Sequence, residues 1–161
     1  MHSRAAELIG TLGLVAHPEG GYFGEVFRSP HAVRPAERDG SRSALTSIYY
    51  LLTAGACSRW HRVAADEAWH YYEGDPLELL WLDEAATTCT RRLLGAVGGE
   101  RRPVHVVPAG RWQAARPTGA YTLVGCSVGP GFDFADFELL ADRPGDAASL
   151  RARFPDLVAL I

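Results

Sequence analysis

From about residue 44 to residue 140, apolar and polar positions alternate in short runs separated by turn residues. "LTSIYYLLT" is followed by "AGA", "CSRWHRV" by "AAD", "EAWHYYE" by "GDP" and "LELLWLD" by "EAA"; further on come "TRRLLG", "VHVV", "YTLVGCSV" and "FDFADFELL". Aromatic and β-branched runs that recur at roughly 8 to 12 residue spacing predict a sandwich or barrel. Closure removes exposed strand edges, so a closed or nearly closed antiparallel barrel is the expected architecture, over about residues 20–141. Both ends of the chain change period. "SRAAELIGTLGL" sets Ala5, Leu8, Ile9 and Leu12 between an N-cap candidate, Ser3, and a C-cap candidate, Gly13, which predicts one amphipathic helix over about residues 3–13. "RPGDAASLRARFPDLVALI" returns to a helical pattern broken at Pro155, and this tail, about residues 145–161, is expected to pack outside the sheet. Near the start, Pro18 and Gly20-Gly21 interrupt the chain before a strand over about residues 22–28. "HAVRPAERDGSR" has no period and reads as an exposed loop.

Composition narrows the class. The 161 residues, 47% hydrophobic and 22% charged, suit one globular domain spanning residues 1–161. No apolar run approaches the roughly 20 residues of a membrane span, and the N-terminus lacks the apolar core of a signal peptide. A cytoplasmic protein without a membrane partner is expected. The net charge of -3 and the scattered arginines leave no basic footprint for nucleic acid. Cys57, Cys89 and Cys126 form no C-x-x-C pair and read as buried small apolar residues.

The chemistry concentrates in "SRWHRVAADEAWHYYEGDPLELLWL", residues 58–82. Residues two apart on a strand share a face, so Cys57, Arg59, His61 and Val63 point one way and Ser58, Trp60 and Arg62 the other. On the next strand Glu67, Trp69 and Tyr71 oppose Ala68, His70 and Tyr72. His70 can join Glu67 in a cavity only if a bulge intervenes. Each residue also has a structural role available: His61 hydrogen-bonded within the barrel, Glu67 as a surface carboxylate, His70 packed on the sheet, and the four tryptophans in the core. Gly20, Gly21 and Gly110 read as turn residues with positive φ. Asp133 either lines the barrel mouth or caps the turn after residues 129–131.

The spacing also resembles a known family. "GACSRWHRVAADEAWHYYEG" is similar to the first cupin motif, G-x5-H-x-H-x3-E-x6-G, at Gly55, His61, Glu67 and Gly74, with Val63 at the second histidine position. "PAGRWQ" resembles the core of the second motif, P-x-G-x2-H, with Gln113 in place of histidine. Together with "HPEGGYFGEVFRS" and "YTLVGCSVGPGFDFADFEL", these stretches resemble the small cupins of the DUF985 or Cupin_5 group over about residues 8–140. The resemblance implies an all-β fold, the cupin double-stranded β-helix or jelly-roll barrel, flanked by a short N-terminal and a C-terminal helix and paired as a homodimer. Of the three histidines and the glutamate that hold metal in such cupins this chain retains His61 and Glu67; His70 and Gln113 could complete a candidate divalent-metal set with them. A more distant resemblance, carried by "GGYFGEVFR", runs to sugar-nucleotide 3,5-epimerases, whose metal-free pocket uses histidine as base. The expected function is an isomerase or epimerase acting by proton transfer on a small, polar, carbohydrate-like carbonyl compound. His61 would be the base, Glu67 and His70 its partners or metal ligands, and Tyr22, Glu25, Arg28, Gln113 and Asp133 the substrate contacts. Arg28 is more readily read as a rim ion-pair partner than as a substrate clamp. A divalent-metal-dependent oxygenase or lyase, and a ligand-binding cupin without turnover, are the alternatives.

Overall fold

"LELLWL" is apolar at five of six positions because both faces of this strand are covered. Leu77 and Leu79 point inward to Tyr50, Trp69 and Val124, whereas Leu80 and Leu82 point outward beneath the C-terminal tail. The computed structural model describes residues 1–36 and 40–161. It runs from helix α1 (Ser3–Leu12) through strands β1 (Val15–Ala16), β2 (Tyr22–Arg28), β3 (Ala32–Val33), β4 (Arg42–Ser43), β5 (Thr46–Thr53) and β6 (Ser58–Val63). Strands β7 (Asp66–Gly74), β8 (Leu77–Leu82), β9 (Cys89–Leu94), β10 (Val104–Val107), β11 (Gln113–Pro117), β12 (Tyr121–Gly129) and β13 (Phe137–Leu139) follow, and helix α2 (Pro144–Arg153) precedes a final 3-10 turn, Pro155–Leu160.

Two antiparallel sheets face each other in a jelly roll. One has the order β1-β2-β5-β12-β7-β10, the other β13-β6-β11-β8-β9, and β3 and β4 form a small separate ribbon. Tyr50, Leu52, Trp69, Leu77, Leu79, Leu94 and Val124 fill the space between the sheets. Ala5 and Leu8 of α1 cover Leu51 and Leu123 on the outer face of the first sheet. On the second sheet, Leu150, Leu157 and Leu160 cover Trp60, Leu80 and Trp112, and the Trp60 indole N–H donates to the Leu157 carbonyl at 3.3 Å. Both terminal segments therefore bury apolar surface that the strands would otherwise expose.

The expected helices are present. Helix α1 begins at Ser3, and His2 takes the N-cap, its Nδ1 accepting from the Arg4 N–H at 3.3 Å. Gly13 closes the helix at φ 63°. One strand was not expected, and two local expectations change. "QAARP" becomes β11, a strand paired on both sides despite its weak strand formers, because Ala114 and Ala115 are fully buried and let β6 and β8 pack closely. "FDFADFELL" is not one strand: the Asp133 carboxylate accepts from the Ala135 N–H and caps a 3-10 turn, Phe134–Asp136, ahead of the short β13. The segment expected as a bare loop carries the ribbon of β3 and β4, while its residues 37–39 lie outside the described residues. Cys126 is buried, whereas Cys57 and Cys89 are half-buried.

Register shifts re-aim side chains at three places. In β2, Glu25 pairs with Ile48 and Phe27 with Ser47, so Val26 is an extra residue that brings Glu25 and Arg28 to the same side. In β6, His61 pairs with Gln113 and Ser58 with Ala115, so three residues span what two span in β11. Ser58 and His61 thus share a face, contrary to strict alternation. In β7 the shift falls at Tyr72, after His70.

Candidate active site

Residues 17–21 form a tight turn that carries Glu19 into the barrel mouth. The Gly20 N–H donates to the His17 carbonyl at 3.0 Å, and the His17 N–H to the Gly21 carbonyl at 3.1 Å. Two neighbouring strands clamp this turn. The Arg59 N–H donates to the Glu19 carbonyl at 2.8 Å, and the Tyr50 hydroxyl donates to the Gly20 carbonyl at 2.7 Å. Gly20 has φ 111°, and a methyl group there would run into the Cys57 carbonyl oxygen, so only glycine permits the approach. The consequence is a fixed, buried Glu19 side chain.

That carboxyl meets His61. Glu19 Oε2 lies 3.2 Å from His61 Nε2, and Glu19 Oε1 accepts from the Ser58 hydroxyl at 3.0 Å. The other ring nitrogen, His61 Nδ1, lies 2.7 Å from the Arg59 carbonyl oxygen, which can only accept; Nδ1 therefore carries the proton and Nε2 the lone pair. Phe137 stacks on the ring at 5.6 Å. Burial pushes the His61 imidazole down and the Glu19 carboxyl up, each toward its neutral form.

Glu67 faces the same cavity from β7. Its Oε2 accepts from the Gln113 amide at 2.6 Å, and the Gln113 carbonyl oxygen accepts from the Trp69 indole at 3.1 Å. Trp69 thereby fixes which end of Gln113 turns to the carboxyl. Burial pushes Glu67 up to about 7, with Glu19 adding to the rise and with His61 and Gln113 opposing it. A buried carboxyl that changes charge at neutral pH, beside an imidazole with a defined lone pair, is equipment for moving protons.

The cavity measures about 300 Å³, at the small end for ligand sites. Its walls include His17, Phe23, Ile48, Val63, Cys126 and Phe134, with Glu25, Arg28 and Asp133 at the rim. Arg28 donates to Glu25 at 2.7 Å and to the Phe132 carbonyl at 3.1 Å, so its guanidinium is engaged as a rim ion pair. Asp133 both lines the mouth and caps its turn. Tyr22 lies elsewhere, packed on the outer face near α1, because β2 turns Phe23 and Glu25 inward. His70 is also outside the cavity. Glu67 through His70 pair with β12 in unbroken register, so His70 takes the face opposite Glu67 and Trp69.

The candidate metal set of His61, Glu67, His70 and Gln113 does not assemble. His70 points away, Val63 offers no donor, and both ends of the Gln113 amide are committed to Glu67 and Trp69. Among the described residues no group of three or more His, Cys, Asp or Glu side chains is arranged to hold a metal ion. As placed, this donor set does not fit a divalent metal.

Sequence reasoning assigned no chemistry to His17 and Glu19. The signal lay in "HPEGG", where a histidine and a glutamate flank Pro18 directly before two turn glycines. The His17 ring packs edge-on against Phe23 at 4.7 Å, and its Nδ1 accepts from the Glu19 N–H at 3.2 Å, helping to shape the same turn.

Comparison with known proteins agrees with this architecture. A hypothetical protein from Leishmania major is 37% identical, with 98% of this chain and 96% of that chain covered and a TM-score of 0.83. A protein from Shewanella oneidensis is 34% identical, over 97% of this chain and 93% of that one, with a TM-score of 0.82. Oxalate decarboxylase of Bacillus subtilis, 17% identical over 87% of this chain and 34% of its own length, shares the fold with a TM-score of 0.59. No functionally curated protein matches in sequence. No helix among the described residues is long and apolar enough to cross a membrane. The family model "Cupin superfamily (DUF985)" matches residues 6–140, and the chain therefore belongs to the Cupin_5 family.

Proposed function

We propose that the cavity is the active site of an isomerase or epimerase that transfers protons on a small, polar, carbohydrate-like carbonyl compound. The observation that carries this reading is that Glu67, a buried carboxyl poised at about 7, shares one small cavity with the coupled pair of the His61 imidazole and the Glu19 carboxyl. General acid/base catalysis needs placement and a pKa near the working pH, and it contributes about 10²–10⁴-fold. The aromatic walls suit the apolar face of a compact sugar-like molecule, while the carboxyls suit its hydroxyls and carbonyl.

The His61→Asn variant tests the reading. It keeps much of the side-chain shape and loses the basic nitrogen. Substrate affinity is expected to stay within several-fold of the parent, with turnover falling by on the order of 10². Deuterium incorporation from D2O into dihydroxyacetone or a keto-sugar reports the same step. Undiminished incorporation by His61→Asn would remove His61 from the chemistry.

The proposal includes a homodimer. Val104 and Val106 are exposed on the edge strand β10, which offers an apolar edge for pairing. Light scattering is expected to give the dimer mass at micromolar concentration, and a monomer mass would refute it.

A further inference from the structure

His61 has no polar atom left for a substrate. Its Nδ1 donates to the Arg59 carbonyl, its Nε2 faces Glu19 Oε2 at 3.2 Å, and Phe137 covers one ring face. All three residues line the cavity, His61 1% exposed and Glu19 and Glu67 6% and 7% exposed. Of the three buried acid and base groups, the two carboxyls keep oxygen lone pairs for an entering molecule beyond those their partners use: Ser58 and His61 for Glu19, Gln113 for Glu67.

We propose that Glu19 is the second acid/base residue of this cavity, the group that hands a proton to the substrate's carbonyl oxygen, with His61 behind it as a positioning residue. This rests on the proton-transfer reading above. The Glu67 carboxylate takes the proton from the carbon beside the carbonyl. The C–H electron pair becomes a C=C bond, the carbonyl π pair moves onto oxygen, and that oxygen takes the Glu19 proton. An enediol, a Glu67 carboxylic acid and a Glu19 carboxylate result. Glu19 then removes the proton of the neighbouring hydroxyl, Glu67 returns its proton to the adjoining carbon, and both groups are restored with the carbonyl shifted by one carbon. The substrate class is accordingly an α-hydroxy ketone or aldehyde. Between turnovers the His61 lone pair accepts from the Glu19 hydroxyl and keeps that carboxyl protonated and correctly turned, while Ser58 anchors its other oxygen. The burial that raises Glu19 favours the same protonated resting state.

The test has two arms on the intact protein. In histidine-labelled protein, the ¹⁵N resonance of His61 Nε2 is expected between the free-base and protonated positions, moving to the free-base side in Glu19→Ala. Superimposable resonances would overturn the contact. In the second arm, deuterium incorporation into dihydroxyacetone is followed for the parent, Glu19→Gln and Glu19→Asp. Glu19→Gln is expected to lose at least 10²-fold with KM within several-fold, and Glu19→Asp to recover part of the rate. Full incorporation by Glu19→Gln overturns the role of Glu19 and leaves the proton-transfer reading standing. Absence of incorporation by the parent overturns both. Parental circular dichroism in each variant shows that a lost rate is not a lost fold.

Discussion

Glu67→Gln is expected to lose on the order of 10³ in turnover and, at pH 8, to be more stable than the parent. The first effect follows from removing the group that changes charge near neutrality. The second follows from linkage. The folded-state pKa of about 7 lies above the ordinary 4.5, so the folded protein holds this proton more tightly than the unfolded chain. That advantage is complete below about 4.5 and is lost as pH climbs through about 7, where a carboxylate must stay ionised inside the barrel. The gap corresponds to roughly 3 kcal/mol against the parent at pH 8. The glutamine carries no such burden, and its carbonyl oxygen still accepts from the Gln113 amide. Thermal unfolding from pH 4 to pH 8 checks the sign: the melting-temperature difference favours the variant at pH 8 and closes toward pH 4. A variant less stable than the parent at pH 8 would show that Glu67 is not held above its ordinary range.

Gly20→Ala is expected to destabilise the fold by about 3 kcal/mol or more and to abolish activity in whatever fraction still folds. The added methyl must occupy a backbone conformation at φ 111° that side chains rarely adopt, and it meets the Cys57 backbone, which is fixed at the start of β6. Relief requires the turn to lift away from β6. Lifting breaks the bonds from Arg59 and Tyr50 and withdraws Glu19 from Ser58 and His61. Gly125→Ala is the contrasting control. The nearest atoms to its methyl belong to the ring end of Tyr72, a residue 48% exposed whose side chain can swing into solvent. Urea denaturation of the two variants should separate them clearly, and equal midpoints would contradict the clamped turn.

Strand positions were legible where both faces of a strand are apolar or aromatic, as in "LELLWL" and "YTLVGCSV", because burial and local propensity agree there. They were not legible in "QAARP", where two buried alanines and pairing on both sides outweigh propensity. The position of His61 and Glu67 in one cavity could be read from motif spacing. Ser58 could not, since strict alternation places it opposite His61 and only the shift against β11 reverses that. The same limit applies to His70, for which the bulge in β7 falls two residues too late, at Tyr72. Glu19 was hidden by a different cause. Its place depends on how the turn at residues 17–21 folds back on Cys57, Arg59 and Tyr50, a long-range contact that no local period encodes.

The most direct test of proton transfer by the cavity's own groups is the pH dependence of deuterium incorporation into dihydroxyacetone by protein treated with a chelator. Incorporation is expected to equal that of untreated protein, to rise with pH to a half-maximum at about 7 as Glu67 ionises, and to be missing from Glu67→Gln. Incorporation that disappears with the chelator and returns with added divalent metal, or that is indifferent to the loss of Glu67, would contradict proton transfer by these groups.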